Sequence, residues 1–170
     1  MKSHRGFTLV EVLVVLAIIG ALAAIIYPIS RSMIGRSREA ACLTNLRVLG
    51  VGLQTYLQEH YDKMPELAAG RASKTENLPV LEILLLPYLE TPAVFHCPSD
   101  SEEFQKSGSS YLWNATQNGR HVTQLALFGI KDRPDKIPLI YEKESWHPSG
   151  MNFLYGDMSG SNKLRLAVGN

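Results

Sequence analysis

Charge, cysteine and catalytic motifs are all scarce in this chain of 170 residues. A formal net charge of +1 provides no global field to gather nucleic acid. The basic residues Arg120, Lys131 and Arg133, near Trp113 and His121, are diluted by Asp132 and Asp135, so nucleic acid is not an expected partner. No glycine-rich loop precedes a helix to cradle a phosphate. No serine or cysteine sits in a recognisable nucleophile elbow, and the nine residues between His147 and Asp157 suit structural hydrogen bonding better than catalysis. An enzyme is therefore not expected. Asp132, Asp135 and Asp157 are scattered rather than set at dense alternate positions, which leaves calcium as a minor alternative to three solvated turn residues. The cysteines number two, Cys42 and Cys97. His96 adjoins Cys97, but no second Cys-x-x-Cys or His-x-x-x-His pair accompanies them, so spacing gives no metal site and no cofactor is expected.

The sharpest scarcity is of charge near the N-terminus. Between Arg5 and Arg31 the one charged side chain is Glu11, and residues 7–26 read FTLVEVLVVLAIIGALAAII. A helix of that length spans about 30 Å, the thickness of a bilayer's hydrocarbon core. A carboxylate there costs roughly 2.5–3.5 kcal/mol at the helix centre and less near the interface, so Glu11 needs a partner or a purpose. Lys2, His4 and Arg5 form a short basic leader ahead of it, which favours a cytoplasmic start and an outward-facing remainder. A general secretory signal has a shorter apolar region, although Ala21-Leu22-Ala23 satisfies its small-x-small rule and allows cleavage before Ala24 as an alternative. Gly20, Ala21, Ala23 and Ala24 also let helices approach closely in lipid.

Past Pro28, which is expected to bend the helix without necessarily ending it, the helical pattern resumes. Cys42, Leu46, Leu49, Leu53 and Tyr56 recur four and three residues apart and predict one core-facing stripe. Gly50 and Gly52 each cost about 1 kcal/mol relative to alanine in a helix interior, which implies close packing or a soft point. A helix from Phe7 to about Asp62 would be about 80 Å long, more than one domain of this size covers, so its first half must find lipid or sister subunits. Residues 63–79 read as a loop, residues 78–90 as a short apolar helix punctuated at Pro87, and residues 101–110 as a polar, mobile connection. Short strands are expected at residues 111–113, 137–142, 151–155 and 163–168, with a type I hairpin turn that opens on Asp157 and closes on Gly160. Cys42 and Cys97 are either two buried thiols or a disulfide, which by the chain-entropy model would contribute about 4 kcal/mol.

The segment Arg5-Gly6-Phe7-Thr8-Leu9-Val10-Glu11, set before an apolar helix, closely resembles the class III signal of type IV prepilins and type II secretion pseudopilins. The resemblance implies cleavage between Gly6 and Phe7 by a prepilin peptidase, N-methylation of Phe7, and retention of the helix. It also implies an assembly role for Glu11, which would neutralise the terminal amine of a neighbouring subunit. An amine and a carboxylate that both enter low dielectric lose much of their solvation cost when they meet. A second likeness involves Cys42 to Gly50, Leu86-Pro87-Tyr88-Leu89, residues 95–100, Ser110-Tyr111 with Asn114, and His147 followed after nine residues by Asp157. These resemble a bacterial pseudopilin-like family with a C-terminal His-x9-Asp-Gly motif. Here Met158 replaces the motif's glycine, and Gly160 is expected to supply the permissive backbone.

The implied fold is α+β and type IV pilin-like: a long N-terminal helix, half transmembrane and half amphipathic, packed on a small antiparallel sheet. The expected divisions are a leader at residues 1–6, a transmembrane helix at 7–28, an amphipathic continuation at 29–62 and a globular head at 63–170. The implied function is a structural subunit of a type II secretion pseudopilus or type IV pilus-like filament, with the pseudopilus favoured because the head has no obvious ligand site. Its implied partners are other pilins or pseudopilins, the prepilin peptidase and an inner-membrane assembly platform. Its implied place is the bacterial inner membrane, single-pass, with the head periplasmic or extracellular. The alternative is a tethered or secreted binding module or enzyme that joins no filament.

Overall fold

A computed structural model describes residues 8–165, which fall into two compact units, one ending at Gly35 and one beginning at Arg36. Helix α1 (Leu9–Glu59) begins where the Thr8 carbonyl accepts the Val12 N–H at 3.3 Å, and it continues through Pro28. It ends where the His60 and Asp62 N–H groups both return to the Leu57 carbonyl, at 3.0 and 2.9 Å. In the second unit Cys42, Leu46, Leu49, Leu53 and Leu57 are buried, and Tyr56 is half-buried at the edge of the same stripe. Two glycines make that packing possible. A Cβ on Gly50 would stand 3.1 Å from Leu154 Cδ1, and one on Gly52 only 2.8 Å from Leu89 Cδ2. Their helix-propensity cost therefore goes with close approach of the helix to the head.

The head's sheet has four antiparallel strands in the order β1 (Tyr111–Trp113), β4 (Pro138–Glu142), β5 (Phe153–Tyr155), β6 (Gly160–Ser161). Between β1 and β4 a separate hairpin pairs β2 (Ala126–Leu127) with β3 (Ile130–Lys131). Before β1 come α2 (Leu81–Leu85), which tightens into a 3-10 turn over Leu86–Tyr88, and α3 (Glu103–Ser107). The core collects the α1 stripe with Leu81, Leu85, Phe95, Tyr111, Trp113, Ile137, Leu139, Ile140 and Leu154. The fold is thus α+β, a long N-terminal helix whose second part packs on a small antiparallel sheet.

Three local expectations need correction, and one hairpin was not foreseen. Residues 101–110 contain a helix, because Asp100 organises them: Oδ1 accepts the N–H groups of Glu102 and Glu103 at 2.9 and 2.8 Å, and Oδ2 accepts that of Phe104 at 2.8 Å. The strand expected at residues 163–168 is displaced; β6 forms earlier, at Gly160–Ser161, while residues 166–168 lie outside the described part. The final hairpin turn opens on Tyr155, whose carbonyl accepts the Met158 N–H at 2.9 Å. Met158 itself takes the left-handed conformation (φ 61°), so the permissive position is 158, and Gly160 serves the strand instead. The β2–β3 hairpin was hidden because Phe128, at φ 48° and 81% exposed, occupies a turn position usually held by Asn, Asp or Gly.

Asp100 carries a pH dependence. Burial raises its pKa, but the Ser110 hydroxyl (2.6 Å to Oδ2) and three backbone N–H groups together overcome this and hold the carboxyl below its ordinary value. A depressed folded-state pKa gives stability that is present above the unfolded value, about 3.9, and is lost as pH falls through the folded value. The urea midpoint of the protein is expected to fall on acidification below about pH 4, and Asp100→Asn should flatten that part of the profile.

Candidate functional site

In the first unit the sequence builds an apolar rod. Every described residue from 8 to 34 is exposed, among them Leu9, Val12, Leu13, Leu16, Ile19, Leu22 and Ile26. Leaving that many large aliphatic side chains in water would forgo roughly 20–40 kcal/mol of burial energy, at about 1.5–3 kcal/mol each. The rod therefore calls for lipid or protein around it. Among the described residues, α1 is the one helix long and apolar enough to cross a membrane.

Glu11 has a task inside its own chain that sequence reasoning missed. Its Oε2 accepts the Thr8 N–H and the Thr8 hydroxyl, both at 2.8 Å, while Thr8 Oγ1 accepts the Glu11 N–H at 3.3 Å. This is a capping box, the Thr-x-x-Glu pattern that satisfies two otherwise orphaned donors at a helix start. The signal was legible as Thr8-Leu9-Val10-Glu11. Gly6 and Phe7, the expected processing site, lie outside the described residues.

In the second unit the residues of the His-x9-Asp likeness do not gather into one site. His147 is buried and Asp157 is exposed. Asp157 Oδ1 accepts the Ser159 N–H at 2.9 Å and its hydroxyl at 2.6 Å, steadying the last hairpin. His147 instead belongs to a buried group that sequence reasoning did not assemble. Cys42 from α1 and Cys97 are disulfide-bonded, their Cα atoms 4.9 Å apart. His147 Nε2 lies 3.5 Å from Cys97 Sγ and 3.0 Å from Glu142 Oε1, with both ionisable side chains essentially sealed from solvent (1% and 0% exposed).

Each member is held from behind. Asn45 of α1 donates to the His96 carbonyl at 2.8 Å, and Ser110 Oγ accepts the Cys97 N–H at 2.9 Å, fixing the loop that carries Cys97. Glu142 ends β4, where Oε2 accepts the Asn152 N–H at 2.7 Å and Oε1 accepts Asn152 Nδ2 at 3.0 Å. His147 Nδ1 faces Ser99 Oγ at 3.4 Å. The following loop is tied to α1 by Glu39, which accepts hydrogen bonds from the Ser149 hydroxyl and, at 2.9 Å, from Asn162 Nδ2; these hold its carboxyl below the usual range. The sulfur, imidazole and carboxylate atoms of Cys42, Cys97, His147 and Glu142 all lie within 4.8 Å of one another. By contrast, Asp132, Asp135 and Asp157 form no such cluster among the described residues, and Asp135 is paired with Arg133 at 3.0 Å.

Comparison with known proteins finds one family model and several relatives. The prokaryotic N-terminal methylation motif matches residues 1–27. The type IV major pilin protein PilA of Myxococcus xanthus is 41% identical over 56 residues, covering 33% of this chain and 26% of that protein. The fimbrial protein of Moraxella nonliquefaciens is 31% identical over 81 residues, covering 48% of this chain and 50% of that one. The type IV major alpha-pilin of Moraxella bovis is 33% identical over 78 residues, covering 46% and 48%. The chain thus spans about half the length of these relatives or less. No solved structure matches it.

Proposed function

We propose that this chain, which is type IV pilin-like and carries a class III prepilin signal, is a structural subunit of a type II secretion pseudopilus or type IV pilus-like filament. The observation that carries this reading is the exposed apolar rod of α1, most of which lies within the matched motif. In the stored form lipid surrounds residues 7–28; on assembly the rods of sister subunits, or of other pilins and pseudopilins, replace it. Identical rods meeting head to tail make a heterologous contact that does not close, the symmetry of a filament. Prepilin peptidase cuts between Gly6 and Phe7, Phe7 is N-methylated, an inner-membrane platform drives assembly, and the head stands on the outer side of that membrane. Glu11 meets the terminal amine of a neighbour.

The intact mass of the native protein tests the reading. A product that starts at Phe7 with one added methyl is expected. A chain that keeps Met1 would instead indicate a tethered module, and one that starts at Ala24 a secreted protein; either would overturn the filament assignment.

A further inference from the structure

We infer that Cys42, Cys97, Glu142 and His147 form a four-donor site for a zinc-class divalent cation when the cysteine pair is reduced. The inference stands on the head alone and does not depend on filament assembly. Two sulfurs, one imidazole nitrogen and one carboxylate make the four donors that a closed tetrahedral site requires, and all four side chains are buried. An ion bound at about 2.0–2.3 Å sets its donors roughly 3.3–3.8 Å apart. The oxidised cluster already holds them within 4.8 Å, with imidazole and carboxylate at 3.0 Å and imidazole and sulfur at 3.5 Å, while the two sulfurs, bonded to each other, move apart on reduction. Sulfur donors select zinc or a similar soft cation over calcium and magnesium, which take oxygen.

The surroundings point the same way. A second layer is in place, with Asn152 on Glu142 and Ser99 on His147 Nδ1, the kind of support that orients metal ligands. Asn152 Oδ1 is the one buried side-chain polar atom without a hydrogen-bond partner among the described residues. It leaves one acceptor unpaired beside the Glu142 carboxylate, whose two oxygens already accept hydrogen bonds from Asn152. The sequence hid the site because its donors come from α1, a loop, the end of β4 and the loop that follows, with no short repeat among them.

Loading and oxidation are alternative states of the same sulfurs. A dithiol reductant passes two electrons and two protons to the Cys42–Cys97 bond and ends as a disulfide itself, leaving two thiols. The incoming dication then displaces one proton from each thiol as the two sulfur–metal bonds form.

The test uses the full-length protein in detergent micelles under anaerobic conditions. It is reduced with a trialkylphosphine, which becomes its oxide with oxygen from water and is removed by gel filtration before the metal is added. Titration with Co(II), then displacement by Zn(II), should give one ion per chain with a thiolate-to-cobalt charge-transfer band. The same protein left oxidised serves as a folded control that cannot load. Glu142→Gln and His147→Ala should each weaken binding at least 10-fold, and Ser99→Ala, behind the imidazole, by about 10-fold or more. Three results would each overturn the proposal: no stoichiometric uptake by the reduced protein, equal uptake by the oxidised protein, or uptake that His147→Ala leaves unchanged. The last would mark a bare two-thiolate site.

Discussion

Replacing Glu142 by alanine is expected to lower the unfolding free energy of the oxidised head by roughly 3 kcal/mol or more, because buried groups left without their hydrogen-bond partner cost about 1–3 kcal/mol each. Three groups lose their acceptor together: His147 Nε2, the Asn152 backbone N–H and Asn152 Nδ2. None is compensated by water, because the carboxylate is fully enclosed. Unfolding free energies of whole domains run to about 5–15 kcal/mol, so the loss would consume a large part of the total. Glu142→Gln keeps one acceptor oxygen and the side-chain volume, and should cost less, about 1–3 kcal/mol. Urea denaturation at neutral pH measures both. Equal and small losses, below about 1 kcal/mol, would mean that the buried pair does not organise the loop between β4 and β5.

The second large effect separates the two roles of Glu11. Within the filament reading, Glu11→Gln should leave helix formation and processing intact, because glutamine also completes a Thr-x-x-Gln capping box. It removes the charge, however, and with it the ion pair expected with a neighbouring amine in low dielectric. At roughly 3–5 kcal/mol for an uncompensated partner, incorporation into filaments should fall about 100-fold or more. Glu11→Ala loses the charge and also the cap, which adds about 0.5–2 kcal/mol of helix destabilisation. Comparing filament-bound with membrane-stored subunit for the two variants decides between the roles. Normal incorporation of the glutamine variant beside a defective alanine variant would assign Glu11 to capping alone.

The helical parts of the fold could be read from the sequence because periodicity is a local signal. Cys42, Leu46, Leu49 and Leu53 are buried as their spacing requires, and Gly50 and Gly52 lie against Leu154 and Leu89. Strands at Tyr111–Trp113 and Pro138–Glu142 also lie where aromatic and branched residues put them. The pattern failed where one residue is asked to break its own preference. Phe128 and Met158 both adopt positive φ, at a cost of about 1–2 kcal/mol each for side chains with a Cβ, and neither turn was placed correctly from composition. The buried polar group was the least visible feature. Glu142 reads as the end of a strand and His147 as the start of a motif with Asp157; only folding brings them to Cys42, which lies a hundred residues earlier, on α1. Asp100 lies between these cases: Pro98-Ser99-Asp100 has the composition of a turn, but the helix that the Asp100 carboxylate nucleates was not legible.

The bond between Cys42 and Cys97 also determines how a stretched subunit would yield. A pull transmitted along residues 36–42 passes into the polypeptide after Cys97 through a covalent link, so tension bypasses the 55-residue separation between the two cysteines. At about 3.5 Å per extended residue, the oxidised molecule withholds roughly 190 Å of slack that a reduced one would release. A fibre made of such subunits would resist lengthening under load even while individual heads began to come apart.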